Sequence, residues 1–407
     1  MRENASSLNL RRLMIFESVA RLSSVRRASD ECHLSQPAIS QAIANLEQEI
    51  GVTLLDRRTD GTYATELGRI FQLRVQRMYA QINDALRELG VASPVLAAVA
   101  HRISNSQIRS LIAVAEYGSF VRAAEALNLT RASLHRAARN LEQDLRKPIF
   151  HRTVNGVIAT AAAVECARKL KLALLEIETG AEELKAASGG FGSRVMIGAM
   201  LMSGNVMLAN VLDEFISTYP NVNVGTASGN AEDILHALRM GDVDLVIGLL
   251  SDPPSPGLVS EPLVETPYVV VARQGHPLQR KRKVTLDDLS AYDWVIGTRG
   301  SNRHQRFEKL FLGRPKPQAR VETSSLATIT QLLERADRLT LLTSYELKFA
   351  TNSLKAVQFG PLHPAPAMGL ITREGWMPTP LQAVVLNLFR ERIKDAMHDA
   401  PTLKVAG

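Results

Sequence analysis

The chain has 407 residues, 45% of them apolar and 22% charged, which suits a globular protein of roughly two to four domains. Its two cysteines, Cys32 and Cys166, argue against a disulfide framework, and the lack of a long apolar run or a secretory leader core predicts a cytoplasmic protein with no membrane partner. The net charge of +7 leans toward residues 91–190, which carry 13 Lys and Arg against 9 Asp and Glu. That is compatible with nucleic-acid binding without establishing it.

From the N-terminus, Leu13, Phe16, Val19 and Ala20 fall on one face of a first amphipathic helix. Ser23 and Ser24 can cap a second, with Val25, Ala28 and Cys32 as its apolar positions. "HLS" breaks it. Ser35 is then a good N-cap, Pro37 sits in the first turn, and Ala38, Ile39, Ala42, Ile43, Leu46 and Ile50 form an apolar stripe that Gly51 ends. Two short helices joined by a tight turn and braced by a third make a helix-turn-helix. Opposite the stripe lie Gln36, Ser40, Gln41 and Asn45, short neutral side chains that suit base edges in the major groove. Asp60-Gly61 is a hairpin signal for a wing, with Arg57 and Arg58 at its base placed for phosphates. Taken singly, each polar residue reads better as a solvated helix face. The ordered set points to DNA.

A linker helix follows, with Ile70, Leu73, Met78, Ile82, Ala85 and Leu89 near helical spacing, then a short connector, "GVASPVLAAVAHRISN". The first unit is then written again. "NLEQE" at 45–49 returns as "NLEQD" at 140–144, and residues 16–65 align without a gap against 111–160, with 15 identities in 50. Identities held in one register mark a duplication.

The stretch "LSQPAISQAIANLEQEIGVTLLDRR", followed by Thr65 and Gly68, resembles the N-terminal winged helix-turn-helix of LysR-type transcriptional regulators. The resemblance implies that the recognition helix begins at Ser35, with Gln36, Pro37 and Ser40 at the groove and Arg57 on a phosphate. It also implies that a linker helix pairs antiparallel with its mate across a dimer; two candidates are present, and the sequence does not choose between them. Leu55 departs from the family's usual Phe, which the second copy supplies as Phe150.

In the second copy Thr130 still caps, but Arg131, Ala132, His135, Arg136 and Arg139 replace Gln36, Pro37, Ser40, Gln41 and Ala44. Arg152 answers to Arg57, Gly51 has become Arg146, and Gly68 has become Ala163. Two readings stay open. Either this face contacts DNA through Arg and His, or the copy has become a dimerisation or packing module. A second linker helix carries Val164, Ala167, Leu170, Leu174 and Ile177.

"SGGFGSR" at 188–194 reads as a flexible joint, after which strands and helices alternate and imply parallel sheets with crossover helices. "RVMIGAM" opens a first set and "TLDDLSAYDWVIGTRGSN" a second, which is expected to continue through "MGLITR". "F.STYP.V.V", "L..GDVDLVIG" and "QGHPL" resemble the effector domain of the same family, which is similar to periplasmic binding proteins. The expected fold is therefore α plus α/β: winged helix-turn-helix domains at 8–66 and 104–161, linker helices at 67–92 and 162–188, and a two-lobed α/β effector domain at 192–400. Ligands of open α/β sheets meet the carboxyl ends of strands and nearby helix N-termini. That selects Met200, Met202, Ser203, Asn230, Thr298, Ser301 and Ser325, with Arg299 and Arg303 for a carboxylate or phosphate. Each serine also reads as an ordinary helix cap.

No metal-ligand spacing, P-loop, dinucleotide fingerprint or nucleophile elbow occurs, so neither a cofactor nor an enzyme is expected. The expected function is a sequence-specific DNA-binding regulator modulated by a small polar effector, anionic or a sugar, held between the two lobes. Its expected partners are double-stranded DNA, further copies of itself as a homodimer or homotetramer, and, as a candidate, RNA polymerase. A DNA-binding scaffold acting through protein partners is the alternative, and an enzyme on a binding-protein fold the remote one.

Overall fold

The computed structural model describes residues 8–153, 156–188 and 194–398, and the chain divides into two compact units between residues 193 and 194. In the first unit α1 (Leu10–Leu22), α2 (Val25–Cys32) and α3 (Gln36–Ile50) each start at a side-chain cap. Asn9 accepts from the Arg11 N–H, Ser24 from Arg27 and Ser35 from Ala38. Leu13, Phe16, Val19, Ile39 and Leu46 are wholly buried where these helices meet. β1 (Leu55–Arg58) and β2 (Gly61–Ala64) form the antiparallel wing, and α4 (Glu66–Glu88) follows.

The connector is not irregular. Pro94 opens α5 (Ser93–Arg102), which buries Leu96, Val99 and Ala100 and packs on α4. Gly90, Ser93 and Pro94 read as loop punctuation, yet Pro is welcome in a first turn.

The same unit then repeats as α6 (Asn105–Tyr117), α7 (Phe120–Ala126), α8 (Arg131–Leu145), β3 (Phe150–Thr153), β4 (Gly156–Ala159) and α9 (Ala161–Ala187). The turn between the second and third helices takes a left-handed residue in both copies, His33 with φ 52° and Asn128 with φ 52°.

The two linker helices pair with each other. Arg74 of α4 donates from Nη1 to Glu176 at 2.8 Å and from Nε to Glu183 at 2.8 Å. Arg77 and Gln81 also reach Glu176, and Lys169 of α9 pairs with Glu88. Partners that rise along one helix fall along the other, so the pairing is antiparallel. A Cβ on Gly180 would lie 3.0 Å from the Arg74 side chain and 3.1 Å from Phe71, which explains a glycine inside a long helix. The seam on α4 runs through Phe71, Arg74, Val75, Met78, Ile82 and Ala85. Ile70, Leu73 and Val164, expected on the apolar stripes, are exposed instead. A charged residue, Arg74, occupies the stripe, so the buried seam does not coincide with the run of apolar residues.

The second unit holds two five-stranded sheets. The first is made of β5 (Arg194–Met200), β6 (Asn223–Gly229), β7 (Leu245–Leu249), β8 (Leu258–Glu265) and β14 (Ala367–Arg373), in the order β6-β5-β7-β14-β8. The second is made of β9 (Tyr268–Arg273), β10 (Asp293–Ile296), β11 (Ala319–Glu322), β12 (Arg338–Thr343) and β13 (Leu354–Ala356), in the order β11-β10-β12-β9-β13. The chain crosses once after β8 and returns before β14.

β5 runs parallel to β6 and β7, and β10 parallel to β11 and β12, whereas β9, β13 and β14 pair antiparallel. "MGLITR", expected in the second set, is β14 of the first sheet. A short buried strand is apolar throughout, and that pattern carries no information about partner or direction.

The helices are α10 (Ser203–Thr218), α11 (Ala231–Met240), α12 (Leu286–Ser290), α13 (Asn302–Leu310), α14 (Leu326–Glu334), α15 (Ser344–Lys348) and α16 (Pro380–His398). Val195, Ile197, Val211, Phe215 and Phe389 fill the core at the first sheet, and Trp294, Phe307 and Phe311 that at the second. Residues 189–193 of the expected joint, and 399–400 at the end of the expected effector domain, lie outside the described residues.

Candidate nucleic-acid interface and ligand site

The α3 face is built from the cap outward. Ser35, Gln36, Pro37 and Gln41 are exposed, Ser40 and Asn45 half-buried, while Ile39, Ile43, Leu46 and Ile50 anchor the opposite side. Gln41 Nε2 donates to Asn45 Oδ1 at 2.9 Å, which orients two amides on one surface. Arg57 is exposed in β1, opposite Thr62, with no ion-pair partner among the described residues. Arg58 differs. It pairs with Asp56 at 2.9 Å and lies over the Tyr63 ring, so its charge is partly spent locally.

The α8 face has the same frame. Thr130, Arg131, Arg136 and Arg139 are exposed, and Leu134, Ala138, Leu141 and Leu145 are buried beneath them. His135 is more engaged than its sequence position suggested, since its ring stacks on Phe120 at 4.4 Å. Arg139 bends back to the His135 carbonyl at 3.4 Å. Arg152 is exposed in β3 at the place Arg57 holds in β1.

The acid of the repeated phrase does the same work in both copies. Glu47 accepts the N–H groups of Leu54 at 2.7 Å and Leu55 at 3.0 Å; Glu142 accepts those of Ile149 at 2.9 Å and Phe150 at 3.1 Å. Each carboxylate ties the third helix of its unit to the start of its wing.

In the second unit the expected ligand residues sort into three kinds. Asn230, Ser301 and Ser325 cap α11, α13 and α14. Thr298 is exposed and shares a hydrogen bond with Ser324 at 3.0 Å, while Ser228 donates to Asn205 at 2.8 Å. These polar groups stand at the carboxyl ends of β5, β6, β10 and β11. The side chain of Ser203 lies outside the described residues.

Three residues correct the expectation. Met200 and Met202 are buried in apolar cores, Met202 among Val269, Val271 and Leu342 with φ 71°. Arg303 is not available to an anion. It is buried and bidentate to Glu346 at 2.8 and 2.9 Å, with Nη1 against the Met202 sulfur. Burying a guanidinium demands a counter-charge, and Glu346 supplies it from 43 residues away, beyond any local motif. Arg299 stays exposed, 3.6 Å from Glu322. Among the described residues no cluster of His, Cys, Asp or Glu is arranged to hold a metal, and no helix is long and apolar enough to cross a membrane.

Comparison with known proteins agrees with both halves. The model of the bacterial regulatory helix-turn-helix protein, lysR family, matches twice, at residues 10–69 and 106–164, and the LysR substrate binding domain matches residues 188–394. The chain is 29% identical to the HTH-type transcriptional regulator GalR of Pseudomonas putida, over 95% of this chain and 98% of that one. It is 31% identical to GbpR of Rhizobium radiobacter over 56% of this chain and 77% of that one. The crystal structure of CbnR, a LysR family transcriptional regulator, aligns with 18% identity over 71% of this chain and 98% of its own, with a TM-score of 0.46. The chain belongs to the LysR family of DNA-binding transcriptional regulators, whose activity is modulated by a small-molecule effector.

Proposed function

We propose that both winged units contact DNA. In the first, Ser35, Gln36, Pro37, Ser40, Gln41 and Asn45 meet base edges while Arg57 and Arg58 take phosphates. In the second, Thr130, Arg131, His135, Arg136, Arg139 and Arg152 do so with more charge. The observation that carries this reading is that Gln36 and Gln41 on α3, and Arg131, Arg136 and Arg139 on α8, lie on the outward face of corresponding helices, with Arg57 and Arg152 at the same place on the wings, each helix tied to its wing by a glutamate. Had the second copy become packing alone, its arginines would need no common outward face.

Footprinting tests it. A Gln36→Ala, Ser40→Ala variant and an Arg131→Ala, Arg136→Ala, Arg139→Ala variant are each expected to erase a different part of one long protected region. If the second variant leaves the wild-type footprint intact, the second copy is a spacer.

The effector belongs to the same proposal. A small polar molecule is bound at the strand ends that carry Asn205, Ser228, Thr298 and Ser324, with Arg299 as the guanidinium open to an anionic group. Screening carboxylates and sugars by thermal shift against wild type and Thr298→Ala checks this; a ligand whose shift the variant leaves unchanged argues against the site.

A further inference from the structure

The paired heads of this protein are complete within one chain. Resting on the DNA-binding reading above, we infer that a single copy reads a non-palindromic operator of two unlike half-sites, α3 on one and α8 on the other. The linker-helix seam that would otherwise join two chains is filled from within.

The seam has the pattern of a two-fold interface. Arg74 reaches Glu183, and the residues 95 positions away from each, Lys169 and Glu88, reach one another in return. Gln81 donates to Glu176, its own counterpart in the repeat, at 3.1 Å, which puts the local axis between them. Reciprocal contacts of this kind define an isologous interface. Here the two partners are halves of one polypeptide. The halves are held elsewhere too: Lys147, from the second winged unit, donates to the Leu89 carbonyl at the end of α4 at 2.5 Å, and α5 packs on α4. A second chain would have to displace α9 to reach the buried face of α4.

The two heads kept their scaffold and lost their common reading surface. Caps Ser35 and Thr130, left-handed turn residues His33 and Asn128, and anchoring acids Glu47 and Glu142 correspond. Gln36, Pro37, Ser40, Gln41 and Ala44 are replaced by Arg131, Ala132, His135, Arg136 and Arg139, while Asn45 is kept as Asn140. Gln and Ser fit adenine edges and mixed donors, whereas Arg favours guanine O6 and N7. Identical heads related by a two-fold axis call for a palindrome. Unlike heads on such an axis call for two different half-sites in a fixed order.

Two measurements on the full-length protein test this. Unlabelled and nitrogen-15-labelled chains are refolded together, and Lys169 is coupled to Glu88 with a zero-length carbodiimide. Cross-linked peptides of a single isotope are expected; mixed-isotope peptides at this pair would overturn the inference, because the seam would then lie between chains. Binding is next compared on the native operator and on two duplexes in which one half-site is replaced by an inverted copy of the other. Both palindromes are expected to bind about 100-fold more weakly, as several mismatched base pairs accumulate. Equal or tighter binding to either palindrome would also overturn it. Loss of every sequence-specific footprint is a different failure, since it removes the DNA reading itself while leaving the cross-link result standing.

Discussion

Arg74 and Lys169 hold the same position in the two copies, and each crosses the seam to an acid, yet only Arg74 is out of water. Its side chain is 2% exposed and that of Lys169 24%, with Glu88 at 56%. Burial decides their worth. Removing one partner of a buried pair leaves an uncompensated charge and costs roughly 3–5 kcal/mol, whereas a surface pair is worth up to about 1 kcal/mol. Arg74→Ala is therefore expected to lower the stability of the first unit by several times as much as Lys169→Ala. Urea unfolding of that unit compares them, and equal losses would mean that burial is not the cause.

The αL positions of the two copies are filled in opposite ways. Gly51 ends α3 with φ 84°, but Arg146 ends α8 with φ 52°; Ser23 ends α1 with φ 53°, but Gly118 ends α6 with φ 60°. A residue with a Cβ is strained there, by roughly 1–2 kcal/mol. Arg146→Gly and Ser23→Gly should each stabilise the first unit by about 1 kcal/mol, net of the greater chain entropy of glycine. Melting curves check this, and a lowered midpoint for both would count against the strain.

Legibility followed the range of the interactions. The caps, apolar stripe and wing of the first copy are local, and Ser35, Thr130, Ile39 and Leu46 do what spacing alone predicts. Pairing over distance was invisible. Nothing near Arg74 announces Glu176 or Glu183, and nothing near Arg303 announces Glu346, so spacing alone leaves the first pairing out and offers Arg303 to a ligand. An arginine within an otherwise apolar stripe, and a glutamate in the answering helix, were the available signal. The placement of β14 depended on sheet order, which an apolar run does not encode.

The arginine-rich face of α8 should be visible in salt dependence. Each duplex phosphate that the protein ceases to neutralise lowers the steepness of the fall of log K with log salt by about 0.9. Arg131→Ala combined with Arg136→Ala is expected to flatten that slope by one to two such steps, roughly 0.9 to 1.8. Gln36→Ala is expected to weaken the specific site with the slope unchanged, because a base contact releases few counterions. An unchanged slope in the arginine variant would leave α8 without phosphate contacts.

His276 gives the second unit a pH dependence whose sign can be worked out. The ring is fully buried beside Tyr292, and Nδ1 accepts the Leu278 N–H at 3.2 Å, capping the short turn Pro277–Arg280. Nδ1 thus carries no proton, and Nε2 has no partner among the described residues. Burial pushes the pKa of the ring below its ordinary value; nearby Asp337 opposes this and Arg273 adds to it. The unfolded chain therefore takes up the proton first. Stability from the neutral ring is complete above the ordinary histidine pKa, about 6.5, and is lost as pH falls toward and through the lower folded value. His276→Gln keeps an acceptor near Leu278 without the titration. Between pH 8 and pH 5 the urea midpoint of the second unit should fall more in the wild type than in this variant. Parallel falls would assign the pH dependence to other groups and leave His276 as a cap alone.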